Sequence, residues 1–321
     1  MKSALIKIEQ LTVAFNGGRV IHGIDMEVAP GEAVGLVGES GSGKSVTWRA
    51  VLGLLPSSAS LTGSVSLSGK SILGAPAKEL DRIRGGQIAM IFQDPVSALN
   101  PLHRVGAQIT EALSLHRGLH GGAAISEARR LLDQVGIPNA SVRLNAYPHE
   151  LSGGQNQRVM IAIAIAAQPD MLIADEPTTA LDATVQAQIL DLLRRVRAET
   201  GMALVLISHD LGVVSTLCER ICVMYAGRVV EDGATKQVLR RPRHPYTRDL
   251  IAAIPPMHGP RHRLAAIRGS PPRPNDLPAG CSYAPRCNEA CSICSQAVPD
   301  MRRVDQGCLV RCVKAEATIG V

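Results

Sequence analysis

Apolar residues follow two different periods in the first 240 residues of the chain. Residues 1–37 alternate apolar and polar positions, which predicts short strands. Continuous apolar runs, typical of strands buried on both faces, occupy Val34–Val37, Met171–Ala174 and Ala203–Ile207. Between the last two runs, Val185–Glu199 has the period of a helix. Strands that alternate with helices predict an α/β fold with a parallel sheet.

Other helices are expected on both sides of residue 100. One should run from Lys44 to about Leu55, and residues 100–150 are mainly helical in pattern, with breaks at glycine and proline. The sequence contains no run of about 18 apolar residues, so no membrane-spanning helix is expected. Met1–Phe15 lacks the apolar block of a signal peptide, and we therefore expect a chain located in the cytosol.

Composition changes near residue 240. Residues 240–321 hold 11 of the 20 prolines and carry 13 Lys and Arg against 6 Asp and Glu, whereas residues 1–239 carry 21 against 22. A basic, loop-rich tail suits anionic lipid, nucleic acid or plain solvent exposure. Six of the eight cysteines lie between Cys281 and Cys312. In the cytosol such a cluster more often binds a metal than forms disulfides.

An eight-residue stretch fits the phosphate-binding pattern G-x-x-x-x-G-K-[ST] and lies between an apolar strand and a predicted helix. Its glycines let backbone N–H groups surround phosphates, and the positive end of the helix adds to the attraction. Lys44 should reach the β- and γ-phosphates of ATP, and Ser45 should hold Mg²⁺. The expected nucleotide-binding residues are Gly38, Glu39, Ser40, Gly41, Ser42, Gly43, Lys44 and Ser45.

Two more segments carry candidate chemistry. Asp175 and Glu176 end an apolar strand, where Asp175 is placed to hold Mg²⁺ through water and Glu176 to polarise the attacking water as a general base. The second segment, Leu151–Gln155, precedes an apolar helix and forms an anion site without a lysine. Its expected ligand-binding residues are Ser152, Gly153, Gly154 and Gln155.

In order and spacing, Gly38–Ser45, Leu151–Gln155 and Leu172–Glu176 resemble the Walker A, signature and Walker B motifs of ABC ATPases. The resemblance covers nearly the whole chain. It implies a P-loop NTPase fold of the ABC type, with an N-terminal antiparallel β subdomain and a helical subdomain inserted at about residues 94–165. In this family the signature of one subunit completes the nucleotide site of a second.

The same resemblance assigns further residues. Gln93 matches the Q-loop, which contributes to the Mg²⁺ site and to catalysis, and His209 matches the switch histidine that contacts the γ-phosphate. Asp182 belongs to the D-loop, and Phe15 takes the place of the aromatic that stacks on adenine. Asn156 departs from the family, many members of which have arginine after the signature.

Several stretches are similar to the dipeptide and oligopeptide importer branch, among them Ala174–Asp182 and the tail segments His244–Tyr246 and Gly280–Cys287. This similarity implies a nucleotide-binding domain at 1–239 and a C-terminal cysteine-containing extension at 240–321. It also implies an ATPase that powers peptide uptake from the cytoplasmic face of a bacterial inner membrane. The implied partners are two permeases, a second ATPase and a solute-binding protein, and not nucleic acid.

In that branch the tail cysteines hold an iron–sulfur cluster, and the matching positions are Cys281, Cys287, Cys294 and Cys312. Four thiolates suit a [4Fe–4S] cluster or a tetrahedral zinc ion equally well, so their spacing leaves both open. Cys308 is an alternative to Cys312 as the fourth ligand.

Two other functions stay open at this point. One is import of nickel or another small solute, and the other is a soluble ABC ATPase that acts on nucleic acid or ribosomes. The basic tail and the cysteines favour the second, whereas the single nucleotide domain and the importer-type tail oppose it. Because every nucleotide motif lies before residue 210, we expect ATP chemistry to be complete without the tail.

Overall fold

A computed structural model describes residues 3–179, 181–254, 266–305 and 307–315. Ala180, within the importer-like stretch, and residues 255–265, 306 and 316–321 of the predicted tail therefore lie outside the described residues. The chain forms two compact units. The helical unit comprises Gly74–Leu206 with two short segments, Met1–Ser3 and Ala29–Glu32. The phosphate-loop unit comprises Ala4–Val28, Ala33–Leu73 and Ile207–Val321.

Twelve strands are formed by the described residues. In chain order they are β1 (Ile6–Phe15), β2 (Gly18–Val28), β3 (Ala33–Val37), β4 (Ala59–Leu67), β5 (Lys70–Ser71), β6 (Ile88–Ile91), β7 (Met171–Asp175), β8 (Ala203–Ser208), β9 (Arg220–Tyr225), β10 (Arg228–Ala234), β11 (Arg302–Asp305) and β12 (Cys308–Val310).

The same residues form eleven α-helices. They are α1 (Lys44–Val51), α2 (Ala77–Ile83), α3 (Pro95–Ala98), α4 (Val105–Arg117), α5 (Gly121–Gln134), α6 (Ala140–Arg143), α7 (Gly153–Ile165), α8 (Ala183–Thr200), α9 (Leu211–Leu217), α10 (Thr235–Arg240) and α11 (Pro245–Ala252). In the part of the chain that the structure describes, no helix combines the length and the apolar character needed to cross a bilayer.

The phosphate-loop unit contains the predicted antiparallel β subdomain. Its four-stranded sheet has the order β2-β1-β4-β5, and β1 pairs antiparallel with both β2 and β4. Ile6 and Ile8 are buried before an irregularity in the strand pairing at Glu9–Gln10, and Leu11 and Val13 are buried after it, so alternation holds on each side of the irregularity. Alternation is the pattern of a strand with one covered face, and the prediction for the first residues is confirmed.

A second set of strands in this unit carries the phosphate loop. All five residues of β3 are buried, and β3 runs parallel to β9. The order continues through β10 and β12 to β11, with antiparallel pairs such as Glu231 with Val310. The tail therefore adds two strands beyond β10. The domain boundary at residues 239 and 240 stays a prediction.

The helical unit contains β6 and β7 as parallel neighbours, with β8 beside β7. Helices α3 to α7 lie between β6 and β7 in the chain, so the predicted helical insertion is present. Capping fixes the helix ends: the Asp182 carboxylate accepts from two amides at the start of α8, and Gly201, with a φ of 71°, caps its C-terminus after Thr200. The predicted fold class is confirmed, except that α1 ends at Val51 rather than near Leu55.

Candidate active site

The phosphate loop, Gly38–Ser45, connects β3 to α1 in the phosphate-loop unit. Two of its glycines are required by geometry. Gly38 has a φ of 153°, and a Cβ there would lie 2.2 Å from the backbone oxygen of Met224. Gly43 has a φ of 102°, and its Cβ would lie 2.5 Å from Ile21 Cδ1. The backbone therefore curls in a way that only glycine permits, which turns amide groups toward the inside of the loop.

Lys44 lies inside this loop and is 5% exposed. Its Nζ donates to the backbone oxygens of Gly38 at 2.8 Å and Glu39 at 3.0 Å, and lies 3.4 Å from Ser42 Oγ. Ser45 follows in the first turn of α1. A buried ammonium at a helix N-terminus attracts a polyanion strongly, because little water screens it.

Asp175 and Glu176 stand at the end of β7 in the helical unit. Asp175 is 1% exposed, and Glu176 has a left-handed backbone with a φ of 49°. The Glu176 Oε2 accepts from Gln93 Nε2 at 3.0 Å and from Thr179 Oγ1 at 2.8 Å. The structure thus brings together Gln93 and Glu176, two residues predicted separately. A non-glycine residue in this conformation is strained by about 1–3 kcal/mol, and such strain is concentrated at functional sites.

The signature segment forms the start of α7 in the same unit. Ser152 Oγ accepts from the Gln155 amide at 3.3 Å, and Gln155 Oε1 accepts from the Ser152 amide at 3.0 Å. This capping box leaves Gly153 exposed, with open space where a Cβ would be among the described residues. Asn156 is buried and donates to the Pro148 oxygen at 2.9 Å. This hydrogen bond therefore connects the first turn of α7 to the segment that precedes it.

The remaining nucleotide candidates belong to the phosphate-loop unit. Phe15 ends β1 and is half-buried, whereas His209 follows β8 and is exposed. Each unit thus contributes part of the predicted set. Phe15, the phosphate loop and His209 lie in one unit; Gln93, the signature and the two acids lie in the other.

Sequence reasoning missed two tail residues that contact the phosphate loop. The guanidinium of Arg286 binds the carboxylate of Glu39, and the Glu39 amide donates to the hydroxyl of Tyr246 at 2.8 Å. Burial raises the pKa of Tyr246, so the hydroxyl stays protonated. Both residues lie in tail segments whose importer-like character is visible in the sequence, but nothing local to those segments indicates the partner.

Four of the tail cysteines line one pocket. They are those predicted as ligands, Cys281, Cys287, Cys294 and Cys312. His244 lines the same pocket, is 1% exposed, and has no hydrogen-bond partner for its Nε2 among the described residues. Cys308 belongs to β12, and Cys291 Sγ lies 3.4 Å from Cys294 Sγ.

The thiols of this pocket do not form a compact ligand set. Within the described ranges, no three His, Cys, Asp or Glu side chains are grouped closely enough to hold a metal ion, and none of the eight cysteines forms a disulfide. The predicted iron–sulfur or zinc site is therefore not established. The physical reason is that lining a common pocket does not by itself bring the four sulfurs to the spacing that a single metal ion requires.

Two family models match the sequence. The one described as ABC transporter matches residues 21–179, and the one described as oligopeptide/dipeptide transporter, C-terminal region, matches residues 230–294. The fold and the motifs define an ATPase of the ABC class. The chain belongs to the ATP-binding subunits of the oligopeptide/dipeptide ABC transporter family.

Similar proteins agree with this membership. A putative peptide import ATP-binding protein of Brucella abortus is 50% identical over 302 residues, which cover 92% of this chain and 91% of the relative. The oligopeptide transport ATP-binding protein OppD of Salmonella typhimurium is 44% identical over 316 residues, with coverages of 97% and 94%. A dimeric structure of the ATP-binding cassette MJ0796 with ADP and Pi is 29% identical, with a TM-score of 0.64, and covers 72% of this chain and 98% of that one.

Proposed function

We propose that this chain powers the uptake of di- or oligopeptides through partner permeases, by hydrolysing ATP at the inner face of a bacterial membrane. One observation carries the proposal: a full set of ABC nucleotide motifs occurs together with the C-terminal region of oligopeptide/dipeptide transporters. Relatives named for peptide import or oligopeptide transport match more than nine-tenths of the chain. Nickel or another small solute is the alternative cargo.

In this proposal the phosphate loop binds the phosphates of ATP. The amides of Gly38–Ser45 and the Lys44 ammonium hold the β- and γ-phosphates, and Phe15 stacks on the adenine. The side chains of Ser45, Gln93 and Asp175 offer oxygen atoms, which are the ligands that Mg²⁺ prefers. When bound with ATP, Mg²⁺ neutralises charge on the phosphates.

Glu176 is proposed as the general base. The Gln93 amide and the Thr179 hydroxyl both donate to Oε2, and these two hydrogen bonds hold the carboxylate in one orientation. A carboxylate held in this way can accept the proton of a water that attacks the γ-phosphate. His209 is proposed to contact the γ-phosphate, in line with the switch histidine of the family.

A second ATPase subunit is proposed to complete each nucleotide site. The start of α7 exposes Ser152 and Gly153 at a helix N-terminus, where the backbone attracts anions. This anion site has no lysine of its own, in contrast to the phosphate loop. We therefore assign it to ATP bound by the partner subunit.

The surface around Gln93–Arg117 is proposed as the docking site for a permease. Leu102 is 82% exposed and Leu115 is 72% exposed, so this segment presents large apolar side chains outward. Gln93, which contacts Glu176, begins the segment and can pass the state of the catalytic carboxylate to it. A peripheral location on the membrane follows from this docking. Cooperation with a solute-binding protein is proposed from membership of the oligopeptide/dipeptide transporter family.

We propose that the cysteine pocket holds a [4Fe–4S] cluster rather than zinc. A tetrahedral zinc ion, with Zn–S bonds of about 2.3 Å, needs its four sulfurs in mutual contact, and no such group occurs in the described residues. A four-iron cluster takes one thiolate on each iron and therefore accepts sulfurs that lie farther apart. The four cysteines that line the pocket, one for each iron, suit such a larger group.

Metal analysis tests the cluster separately from transport. Anaerobic purification should give a brown protein with iron and acid-labile sulfide, and Cys281→Ser should lose both. Stoichiometric zinc in a colourless protein would contradict the cluster.

Reconstitution with permeases and a solute-binding protein tests the transport function. Peptides should stimulate ATP turnover in the reconstituted membrane, while nickel should not. Stimulation by nickel alone would assign the cargo to the alternative class. Failure of the chain to associate with any permease, combined with turnover stimulated by RNA or ribosomes, would contradict the transport function.

A further inference from the structure

Arg286 connects the tail to the phosphate loop. It ends the short 3₁₀ helix Ala284–Arg286, directly before Cys287, and its side chain is 5% exposed. Its Nη1 donates to Glu39 Oε2 at 2.7 Å and its Nη2 donates to Glu39 Oε1 at 3.0 Å. Two parallel hydrogen bonds between a guanidinium and a carboxylate are stronger and more directional than a single ion pair.

The guanidinium is itself fixed by the tail and the core. Its Nε donates to the Arg268 oxygen at 2.6 Å, and Nη1 also donates to the Tyr225 hydroxyl at 3.2 Å. The guanidinium carbon lies 5.7 Å from the Tyr225 ring centre and 5.8 Å from that of Tyr283. Because these contacts immobilise a long side chain, Arg286 holds Glu39 in place rather than following it.

Tyr246 forms a second contact with Glu39. Its hydroxyl accepts the Glu39 amide, and its ring packs against Tyr225 and Tyr283 with centroid distances of 4.6 and 5.3 Å. Three of the four tyrosines in the chain thus surround this contact, and all three are at most 1% exposed. The tail consequently binds both the backbone and the side chain of one phosphate-loop residue.

The position of Glu39 gives this contact a functional meaning. Glu39 is the acidic residue of a loop that receives a polyphosphate, and its backbone oxygen also accepts from the Lys44 ammonium at 3.0 Å. An uncompensated carboxylate in such a loop repels the phosphates. A carboxylate that turns away from Arg286 would also alter the backbone that orients Lys44.

We propose that Arg286 is a positioning residue of the nucleotide site, which neutralises the Glu39 carboxylate and so sets the affinity of the phosphate loop for ATP. The inference rests on the proposed nucleotide site and extends it by one residue from the tail. The tail is then required for tight nucleotide binding, in contrast to the expectation drawn from the motif positions. The same residue ties the loop that bears Cys281 and Cys287 to the phosphate loop.

The test uses the full chain and four variants. Arg286→Met should raise the Kd for Mg-ATP about tenfold, the scale expected for loss of a charge-assisted hydrogen bond, while kcat in the assembled transporter changes by less than about twofold. Arg248→Met is the matched control, since Arg248 forms an exposed ion pair with Glu289 within the tail. That control should bind ATP as the wild type does.

The double variant Glu39→Gln/Arg286→Met separates charge neutralisation from simple packing. Without the carboxylate there is no repulsion, so its Kd should return to within about threefold of the wild-type value. The loss in Arg286→Met alone should also shrink at high salt, because salt screens the repulsion. A lower melting temperature with an unchanged Kd in Arg286→Met would overturn the inference, as would a double variant that binds no better than Arg286→Met.

The outcome stays distinguishable from failure of the proposed function. If Lys44→Ala binds Mg-ATP normally, the nucleotide site itself is wrongly placed, whatever the tail variants do. If Lys44→Ala loses binding and Arg286→Met retains the wild-type Kd, only the role of Arg286 fails.

Discussion

The phosphate loop and the signature segment are both glycine-bearing turns that lead into a helix, yet they are held in different ways. The phosphate loop needs left-handed glycines, encloses Lys44, and is bound by Arg286 and Tyr246 from more than 200 residues away. The signature is fastened by a capping box between Ser152 and Gln155, three residues apart. Its exposed glycine adopts an ordinary helical backbone.

The phosphate loop is a closed site that encloses phosphate, and we call it the cradle. The signature segment is an open anion site that is proposed to complete the nucleotide site of a partner subunit, and we call it the half-site. A loop that encloses phosphate must turn its amides inward, which requires backbone angles that glycine adopts readily and other residues do not. A segment that offers a helix N-terminus to an anion held elsewhere needs only a capped helix and an accessible surface. One chain therefore carries a complete phosphate site and the complementary part of another.

The largest effect is expected in the closed cradle. Lys44→Ala should abolish measurable binding of Mg-ATP, because it removes the ammonium inside the loop. Equilibrium titration with a fluorescent ATP analogue measures this, and Lys70→Ala, which removes an exposed lysine of the same unit, serves as the control. Retained affinity in Lys44→Ala would show that the loop is not the phosphate site.

The next largest effect is expected on the rate of ATP turnover, with ATP binding unchanged. Glu176→Gln should keep ATP affinity but slow hydrolysis by about 10²–10⁴-fold, since the amide can still accept from Gln93 but cannot take a proton. Steady-state phosphate release from the assembled transporter measures the loss. Asp191→Asn, which alters an exposed carboxylate of the same unit, should turn over normally. A wild-type rate of hydrolysis in Glu176→Gln would mean that another residue is the general base.

A smaller effect is expected at the far end of the signature helix. Glu127 binds Arg117 and Arg130, and Arg117 also donates to the Ala166 oxygen just after α7. Hydrogen bonds from Arg130, the strongest influence, together with those from Arg117, lower the pKa of Glu127 to about 2. Because Arg130 is half exposed, Glu127→Gln should lower the free energy of unfolding by only about 1–2 kcal/mol at pH 7.

This difference in stability should depend on pH in one direction. The ionised Glu127 stabilises the folded state above the unfolded pKa of 4.5, and its contribution disappears as pH falls toward about 2. Urea unfolding of the wild type and Glu127→Gln at pH 7 and at pH 3.5 should therefore show a smaller gap at the lower pH. An equal gap at both values would mean that the ion pairs do not carry the effect.

Short-range patterns predicted most of the nucleotide machinery. The phosphate loop occupies eight consecutive residues, and Ser152 caps its helix through a bond to Gln155, so neighbours in the chain contain the information. The strand Met171–Asp175 could be predicted because four of its five residues are apolar. All five are buried in the structure. Local spacing was sufficient wherever the partners lie within one turn or one strand.

Contacts between segments that are far apart in the chain could not be predicted from such short-range patterns. Arg286 and Glu39 are 247 positions apart, and neither segment contains a pattern that indicates the other as its partner. The pairing of Gln93 with Glu176 depends on β6 and β7 being parallel neighbours, and the order of strands in a sheet cannot be read from short-range patterns. The tail was therefore predicted as an appendage, although its strands and Arg286 join the unit that carries the phosphate loop.

The contrast between cradle and half-site is tested most directly by Gly153→Asp. The described residues leave open space at this Cβ, and a carboxylate at a helix N-terminus favours the fold, so the variant should fold normally. Gly153→Ala is its uncharged control. We expect the isolated Gly153→Asp chain to bind Mg-ATP with wild-type affinity, while turnover in the assembled transporter falls by at least about tenfold through repulsion of the partner's phosphates. Loss of ATP affinity in the isolated chain, or undiminished turnover in the assembly, would contradict the division into a complete site and a complementary half-site.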